Sequence, residues 1–146
     1  MKNIFLVIFT FVLAFNVASA QLEPVKWDFK MEKISEQEYR LHFDATIEKG
    51  WVIYGMEQTD GPIPTSIEFD EGAFELTGSV NAHSESTITE DPLFMVELEK
   101  FKNEALFTQD VKADEGSMVS GFVTFMTCDG EKCLPPNDID FFFELK

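Results

Sequence analysis

The chain has 146 residues and is strongly acidic, since 27 Asp and Glu side chains against 11 Lys and Arg give a formal net charge of −16. Phosphate neutralisation needs basic clusters that this sequence lacks, so we expect no nucleic-acid partner and no binding to an anionic membrane surface. The hydrophobic fraction of 45% is sufficient for a real core. The acidity is explained either by a soluble, self-repelling surface or by steering towards basic patches on a partner.

The first twenty residues are typical of a secretory signal peptide. Lys2 provides a short basic start, residues 4–15 form an apolar run, and Ala18-Ser19-Ala20 offers a small-residue cleavage site before Gln21. The apolar run is short for a membrane span, no later segment is long enough for one, and no cysteine near the cleavage site could carry a lipid. We therefore expect a single mature domain, residues 21–146, in the periplasm of a Gram-negative bacterium and without stable membrane insertion.

Beyond the signal peptide, apolar and polar residues alternate with a period of two, which is typical of half-buried β-strands. Turns rich in Gly, Asp, Asn and Glu separate the alternating runs, and no longer window predicts an amphipathic helix. The predicted strands are 25–31, 39–47, 51–54, 66–69, 74–80, 93–101, 105–111, 118–127 and 139–145. Eight or nine short strands at this spacing predict one all-β domain, an antiparallel β-sandwich.

Two segments interrupt the alternation. Residues 56–64 contain Gly61 and two prolines and are predicted to form a loop. Residues 83–92 are polar, are also predicted to form a loop, and end at the apolar pair Leu93-Phe94. Phe94 could simply begin a strand, or it could lie over a group that needs shielding from solvent.

The chain has two cysteines, Cys128 and Cys133, with four residues between them and with Leu134-Pro135-Pro136 directly after. A disulfide that closes so small a ring contributes only about 2 kcal/mol, against about 3 kcal/mol for a 15-residue loop, so stability is a weak reason for the pair. One interpretation is a dithiol that cycles through mixed disulfides. By spacing alone, however, a static hairpin disulfide is the simpler interpretation for an exported protein. The flanking acids Asp129 and Glu131 would raise a thiol pKa, and only Lys132 would lower it.

Other chemistries find little support in the sequence. Two thiolates need two further ligands to hold a metal, and the only histidines, His42 and His83, lie at positions that predict solvated side chains. The chain contains neither a Gly-x-Ser-x-Gly nor a His-Glu-x-x-His motif. The aromatic residues Trp51, Tyr54 and Phe141-Phe142-Phe143 are predicted to be core, except that alternation directs Phe142 away from Phe141 and Phe143.

The cysteine-containing segment resembles a known family. Phe125-Met126-Thr127-Cys128-Asp129-Gly130-Glu131-Lys132-Cys133-Leu134-Pro135-Pro136, followed by a last strand, is similar to the N-terminal periplasmic domain of the thiol:disulfide interchange protein DsbD, also called a disulfide-bond corrector domain. Upstream, Gly50-Trp51-Val52-Ile53-Tyr54 resembles the glycine–aromatic strand of the family. The resemblance covers most of the mature chain, and its specific part is the cysteine–proline segment.

The resemblance implies an immunoglobulin-like sandwich and a thiol:disulfide interchange activity with no bound cofactor. Members of the family take electrons from a membrane-embedded partner and pass them to thioredoxin-like periplasmic proteins. By this resemblance Cys133 forms the mixed disulfide with the acceptor and Cys128 resolves it. Because the fused membrane and thioredoxin-like domains common in the family are missing from this sequence, a separate membrane-embedded protein is expected to donate the electrons.

The resemblance also implies a cap loop whose phenylalanine covers the cysteines until a partner binds. Phe94 is the candidate for that phenylalanine, and Asp91 and Glu90 are its expected acidic neighbours. The best-known members have one more residue between their cysteines, so their redox potential is not transferred to this tighter ring. The alternative from another functional class is a secreted immunoglobulin-like binding or structural module with a static disulfide.

Overall fold

The alternating segments fold into β-strands in the computed structural model, which describes residues 22–146. The expected signal peptide, 1–20, lies outside the described residues. The described part contains eleven strands: β1 Val25–Lys33, β2 Glu38–Ile47, β3 Val52–Tyr54, β4 Ser66–Phe69, β5 Glu75–Ala82, β6 Ser86–Glu90, β7 Glu97–Phe101, β8 Glu104–Lys112, β9 Met118–Phe125, β10 Thr127–Cys128 and β11 Asn137–Glu144.

The strands form three antiparallel sheets. Their orders are β1-β2-β8-β5, β10-β3-β7-β6 and β11-β9-β4. Residues 22–146 contain no helix, and in this part of the chain nothing of helical form could cross a membrane. The predicted all-β, antiparallel class is therefore confirmed.

The strand count differs from the predicted eight or nine at two places. Residues 83–92, predicted to be a loop, contain β6, whose five side chains are all exposed. Such an edge strand has no buried face, so it shows no alternation in the sequence. The predicted strand 118–127 is divided into β9 and β10, which belong to different sheets. In addition, the predicted strand 93–101 begins as a turn and becomes a strand only at Glu97.

An aromatic core joins the first and third sheets. Phe43 of β2 packs edge-on against Phe141 of β11, with 4.9 Å between ring centroids, and Phe29 and Phe143 complete the cluster. The outward orientation predicted for Phe142 is confirmed, since this residue is 62% exposed. The core fixes β9 and β11, and β9 leads directly into the cysteine segment.

A second, smaller hydrophobic cluster lies on the sheet β10-β3-β7-β6, which we call the middle sheet. Its buried members are Tyr54, Leu98 and Cys128, and partly buried apolar side chains pack around them: Val52, Phe94, Val96 and Cys133. The cysteines are therefore held on the sheet β10-β3-β7-β6, away from the aromatic core.

Candidate functional site

The two cysteines form a disulfide at the end of β10. Cys128 and Cys133 face each other as an isolated antiparallel bridge, with an Sγ–Sγ distance of 1.99 Å and a Cα–Cα distance of 4.0 Å. No other cysteine occurs in the chain. The pair can therefore store two electrons and can exchange with a second dithiol, provided that a partner can reach one sulfur.

The four residues between the cysteines form a turn organised by Asp129. Its carboxylate Oδ1 accepts hydrogen bonds from the backbone N–H groups of Glu131 and Lys132, each at 2.9 Å. Its own N–H donates to the Lys132 carbonyl at 3.0 Å, and Gly130 supplies the positive φ of 90°. The two backbone donors lower the pKa of the Asp129 carboxyl, so a negative charge adjoins Cys128 at neutral pH.

The hairpin is fixed to β3 on the side of Cys128. Thr127 pairs with Ile53 and Cys128 with Val52, and the Thr127 hydroxyl donates to the Val52 carbonyl at 2.8 Å. The Leu134 N–H donates to the Thr127 carbonyl at 2.9 Å, which brings the chain back after the second cysteine. These hydrogen bonds hold the hairpin in addition to the sulfur–sulfur bond.

The two sulfur-bearing residues differ in accessibility. Cys128 is 1% exposed, whereas Cys133 is only half-buried. Phe94 is half-buried as well and packs in the same cluster as both cysteines, with its ring edge-on to Tyr54 at 6.2 Å between centroids. The structure thus places the three predicted residues Cys128, Cys133 and Phe94 in one cluster, and Cys133 is the more exposed of the two cysteines.

The backbone around Phe94 is held by Asp91. Oδ1 of Asp91 accepts hydrogen bonds from the N–H groups of Leu93 at 2.9 Å and Phe94 at 3.3 Å, and the Met95 N–H donates to the Asp91 carbonyl. Residues 91–96, which we call the cap segment, therefore form a tight turn between β6 and β7. Met95 adopts a φ of 58° in this turn, which makes it one of two non-glycine residues of the described chain with a positive φ.

Oδ2 of Asp91 binds two further side chains beneath the cap segment. It accepts a hydrogen bond from the Tyr54 hydroxyl at 3.1 Å and forms an ion pair with Lys100 Nζ at 3.0 Å. Burial raises the pKa of the Asp91 carboxyl, but the donors from Leu93, Lys100 and Tyr54 outweigh burial and hold that pKa below its ordinary value. Burial and the adjacent carboxylate raise the pKa of Tyr54, so its hydroxyl stays protonated and donates.

Glu90, the other predicted acidic neighbour, has a different position. It is the last residue of β6, pairs with Glu97 of β7, and its side chain is exposed at the surface. Its contribution to the interior is its backbone carbonyl, which lies 3.4 Å from Lys100 Nζ. Of the two predicted acids, Asp91 therefore binds the backbone of Leu93 and Phe94 through its side chain, whereas the side chain of Glu90 lies at the surface.

Sequence reasoning misses Tyr54 and Lys100 as members of this site. The sequence predicts Tyr54 to be core, which is where it lies, but its hydroxyl bond to Asp91 has no sequence signature. Lys100 does leave a signal, because Leu98 and Lys100 share one phase of the β7 alternation and the Leu98 side chain is buried. A lysine in the inward phase of a strand predicts a buried cation that needs a carboxylate.

A cleft of about 430 Å³ lies beside the disulfide turn, and its wall includes both the cap segment and the turn. The residues that line it are Lys49, Gly50, Trp51, Val52, Tyr54, Thr89, Asp91, Pro92, Lys100, Lys102, Asn103, Asp129 and Gly130. Lys132 lies over the ring of Trp51, with Nζ 6.0 Å from the centroid. The cleft thus borders the turn between the cysteines at Asp129 and Gly130.

The histidines lie away from the disulfide. His42 is on β2, and His83 Nε2 lies 2.7 Å from the Thr108 hydroxyl. Within residues 22–146, no three His, Cys, Asp or Glu side chains are grouped so that they could hold a metal ion.

The comparisons with known proteins identify the fold. No protein-family model and no curated protein matches the chain. Among solved structures, the N-terminal periplasmic domain of ScsB from Proteus mirabilis matches with a TM-score of 0.67 and 14% identity, covering 86% of this chain and 48% of that chain. The DsbD N-terminal domain of Neisseria meningitidis, in its reduced form, matches with a TM-score of 0.50 and 17% identity, covering 80% of this chain and 83% of that one.

The chain thus spans about half the length of the ScsB chain that it matches. The resemblance predicted from the cysteine–proline segment is confirmed at the level of the fold. The chain has the immunoglobulin-like fold of the N-terminal periplasmic domains of DsbD and ScsB.

Proposed function

We propose that the mature chain is a periplasmic thiol–disulfide exchange domain that passes reducing equivalents through Cys128 and Cys133 to thioredoxin-like proteins. The observation on which this proposal rests is the environment of the disulfide, with Cys128 buried, Cys133 half-buried and Phe94 in the same hydrophobic cluster. The fold supports it, because a domain of the same fold has been obtained in a reduced form.

The accessibility of the two cysteines supports a division of roles. In the reduced domain, the Cys133 thiolate attacks the disulfide of the acceptor, forms a mixed disulfide and releases one acceptor thiolate. Cys128 then loses its proton and attacks the Cys133 sulfur, which closes the internal disulfide and releases the second acceptor thiolate. Two electrons move to the acceptor, and a separate membrane-embedded donor restores the dithiol of this domain.

Phe94 and the surface charge would control access to the pair. Phe94 would keep solvent and unrelated thiols from the cysteines until an acceptor displaces the cap segment. The net charge of −16 would increase the rate of association with an acceptor that has a basic rim, more than it increases the affinity.

Residues 1–20 would direct export and be removed. The test is the N-terminal sequence of protein isolated from a periplasmic fraction, which is expected to begin at Gln21.

A second candidate is a secreted immunoglobulin-like module with a static disulfide. The burial of Cys128 and the hydrogen-bonded turn between the cysteines favour it, since structural cysteines are buried and inert. In this alternative the bridge stays closed under all cellular conditions, and the ligand of the module is a separate question.

Single-cysteine variants distinguish the two candidates. Cys128→Ser leaves Cys133 to form a mixed disulfide that cannot be resolved, so it should trap a thioredoxin-like periplasmic protein as a covalent complex. Cys133→Ser is the matched control and should trap little, because Cys128 is buried. Trapping by Cys133→Ser instead would reverse the two roles, and trapping by neither variant would contradict the exchange function.

A further inference from the structure

One lysine of this acidic domain is buried beneath the cap segment. Among residues 22–146, Asp91 at 3% exposure and Lys100 at 7% are the only charged residues that are buried. Buried charges are costly unless each has a partner, and these two are partners, with 3.0 Å between Lys100 Nζ and Asp91 Oδ2. The pair therefore requires an explanation beyond surface solubility.

Lys100 directs its charge at the start of the cap segment. It lies on the central part of the middle sheet, where β7 pairs with both β3 and β6, so its backbone position is fixed on both sides. Its Nζ contacts the carbonyl of Glu90, the last residue of β6, and the carboxylate of Asp91, the first residue of the cap segment.

Asp91 transmits this contact to Phe94. The carboxylate oxygen that does not bind Lys100 accepts the N–H groups of Leu93 and Phe94. Phe94 in turn belongs to the hydrophobic cluster that contains Cys128 and Cys133, and its ring contacts Tyr54. Contacts thus run from Lys100 through Asp91 to the backbone of Phe94, a residue of the cluster that holds the disulfide.

The electrostatics of the pair determine where the cap segment lies. With Lys100 present, the Asp91 carboxylate is compensated and can remain buried. Without that cation, a buried carboxylate is strongly unfavourable, and movement of the cap segment until Asp91 reaches water relieves the cost. Because Phe94 follows Asp91 by three residues and is hydrogen-bonded to it, Phe94 would move away from the disulfide as well.

We propose that Lys100 is a positioning residue for the exchange reaction: by compensating the buried Asp91 carboxylate it holds Phe94 against the Cys128–Cys133 disulfide. The role of Lys100 in the exchange reaction rests on the proposed function. Its effect on the position of Phe94, however, is a property of this chain and can be measured without any protein partner.

The test is the rate at which a small phosphine, tris(2-carboxyethyl)phosphine, reduces the disulfide in the folded protein. The phosphine supplies both electrons and becomes the phosphine oxide, and the two thiols are counted by alkylation and mass. Lys100→Met should increase the rate by about tenfold or more, because it leaves Asp91 buried without a cation. Lys112→Met is the matched control, an exposed lysine on β8 in another sheet, and should leave the rate unchanged.

The double variant Asp91→Asn with Lys100→Met separates charge compensation from packing. The asparagine side chain keeps an oxygen for the N–H groups of Leu93 and Phe94 and carries no charge, so the cap segment can stay in place and the rate should return to within about threefold of the wild type. A rate for Lys100→Met equal to that of the wild type would overturn the proposal. Equal acceleration in the single and double variants would also overturn it, since Lys100 would then act only through packing.

Two further comparisons keep the result unambiguous. If Lys100→Met does not fold, Lys100→Gln retains a hydrogen-bond donor without the charge; faster reduction than in the wild type supports the proposal, and an unchanged rate overturns it. The proposed function is judged separately by the trapping experiment with Cys128→Ser. Acceleration in Lys100→Met together with no trapped acceptor would retain the positioning role and reject the exchange function.

Discussion

Reduction of Cys128–Cys133 should weaken the fold only modestly. The bond joins residues with a sequence separation of 5. In the chain-entropy model a ring of this size removes little freedom from the unfolded chain, and the expected loss in the free energy of unfolding on reduction is about 2 kcal/mol. The hairpin keeps its other contacts when reduced, because the Asp129 carboxylate, the Thr127 hydroxyl and the Leu134 N–H bind backbone groups and not sulfur.

The assay is denaturant and thermal unfolding of residues 21–146 in the oxidised and reduced states. For a domain of this size, 2 kcal/mol corresponds to a decrease in Tm of roughly 6–10 °C. By the thermodynamic cycle, the fold makes the disulfide more reducing than the same pair in the unfolded chain by about 40 mV. So small a difference allows the domain to be oxidised and reduced repeatedly while it stays folded.

A large effect would refute this reasoning. A loss of more than about 4 kcal/mol, or a reduced protein without cooperative unfolding, would mean that the bond does more than restrict a short ring. The disulfide would then be structural, and the static module would be the better description. Unfolding of the Cys128→Ser/Cys133→Ser double variant is the control, and it should match the reduced wild type.

Three further predictions concern the cap segment and the surface. Phe94→Ala should speed alkylation of the reduced cysteines, whereas Phe142→Ala, which removes an exposed ring, should not; equal rates in both variants would reject a shielding role. The pKa of Asp91 is lower in the folded than in the unfolded chain, so its contribution to stability is lost as the pH falls through that folded pKa. Reduction by the phosphine, measured against a peptide disulfide, should therefore accelerate only when the pH falls below the ordinary pKa of an aspartate, and an unchanged ratio there would contradict the role of the carboxylate. Trapping of an acceptor by Cys128→Ser should slow as ionic strength rises, and a salt-independent rate would exclude steering by the acidic surface.

The sequence predicts most of the fold because most strands have one buried face. Alternation locates β2, β4 and β8 closely, and it assigns Phe142 to the surface. It fails at β6, where every side chain is exposed and only backbone pairing with β7 defines the strand. It also fails at residues 93–96, because the hydrogen bonds of a single carboxylate, that of Asp91, bend a segment whose apolar residues suggest extension.

The candidate site is predictable in part. Spacing and the resemblance point to Cys128 and Cys133, and the position of Phe94 in the same cluster agrees with the interpretation of an aromatic that shields them. Lys100 and Tyr54 are not predicted, since their roles depend on contacts with Asp91 across strands that are separate in the sequence. The different positions of Asp91 and Glu90 follow from the end of β6, which no pattern in the sequence marks.

The central claim, that Cys128–Cys133 exchanges and is not a static bridge, is tested most directly by an equilibrium redox titration of residues 21–146. The oxidised fraction is read by thiol alkylation and mass over a series of defined potentials. The exchange function predicts a midpoint between about −200 and −270 mV, within the range of glutaredoxin- and thioredoxin-type proteins. A disulfide that stays closed well below about −300 mV would contradict the account and identify the bridge as structural.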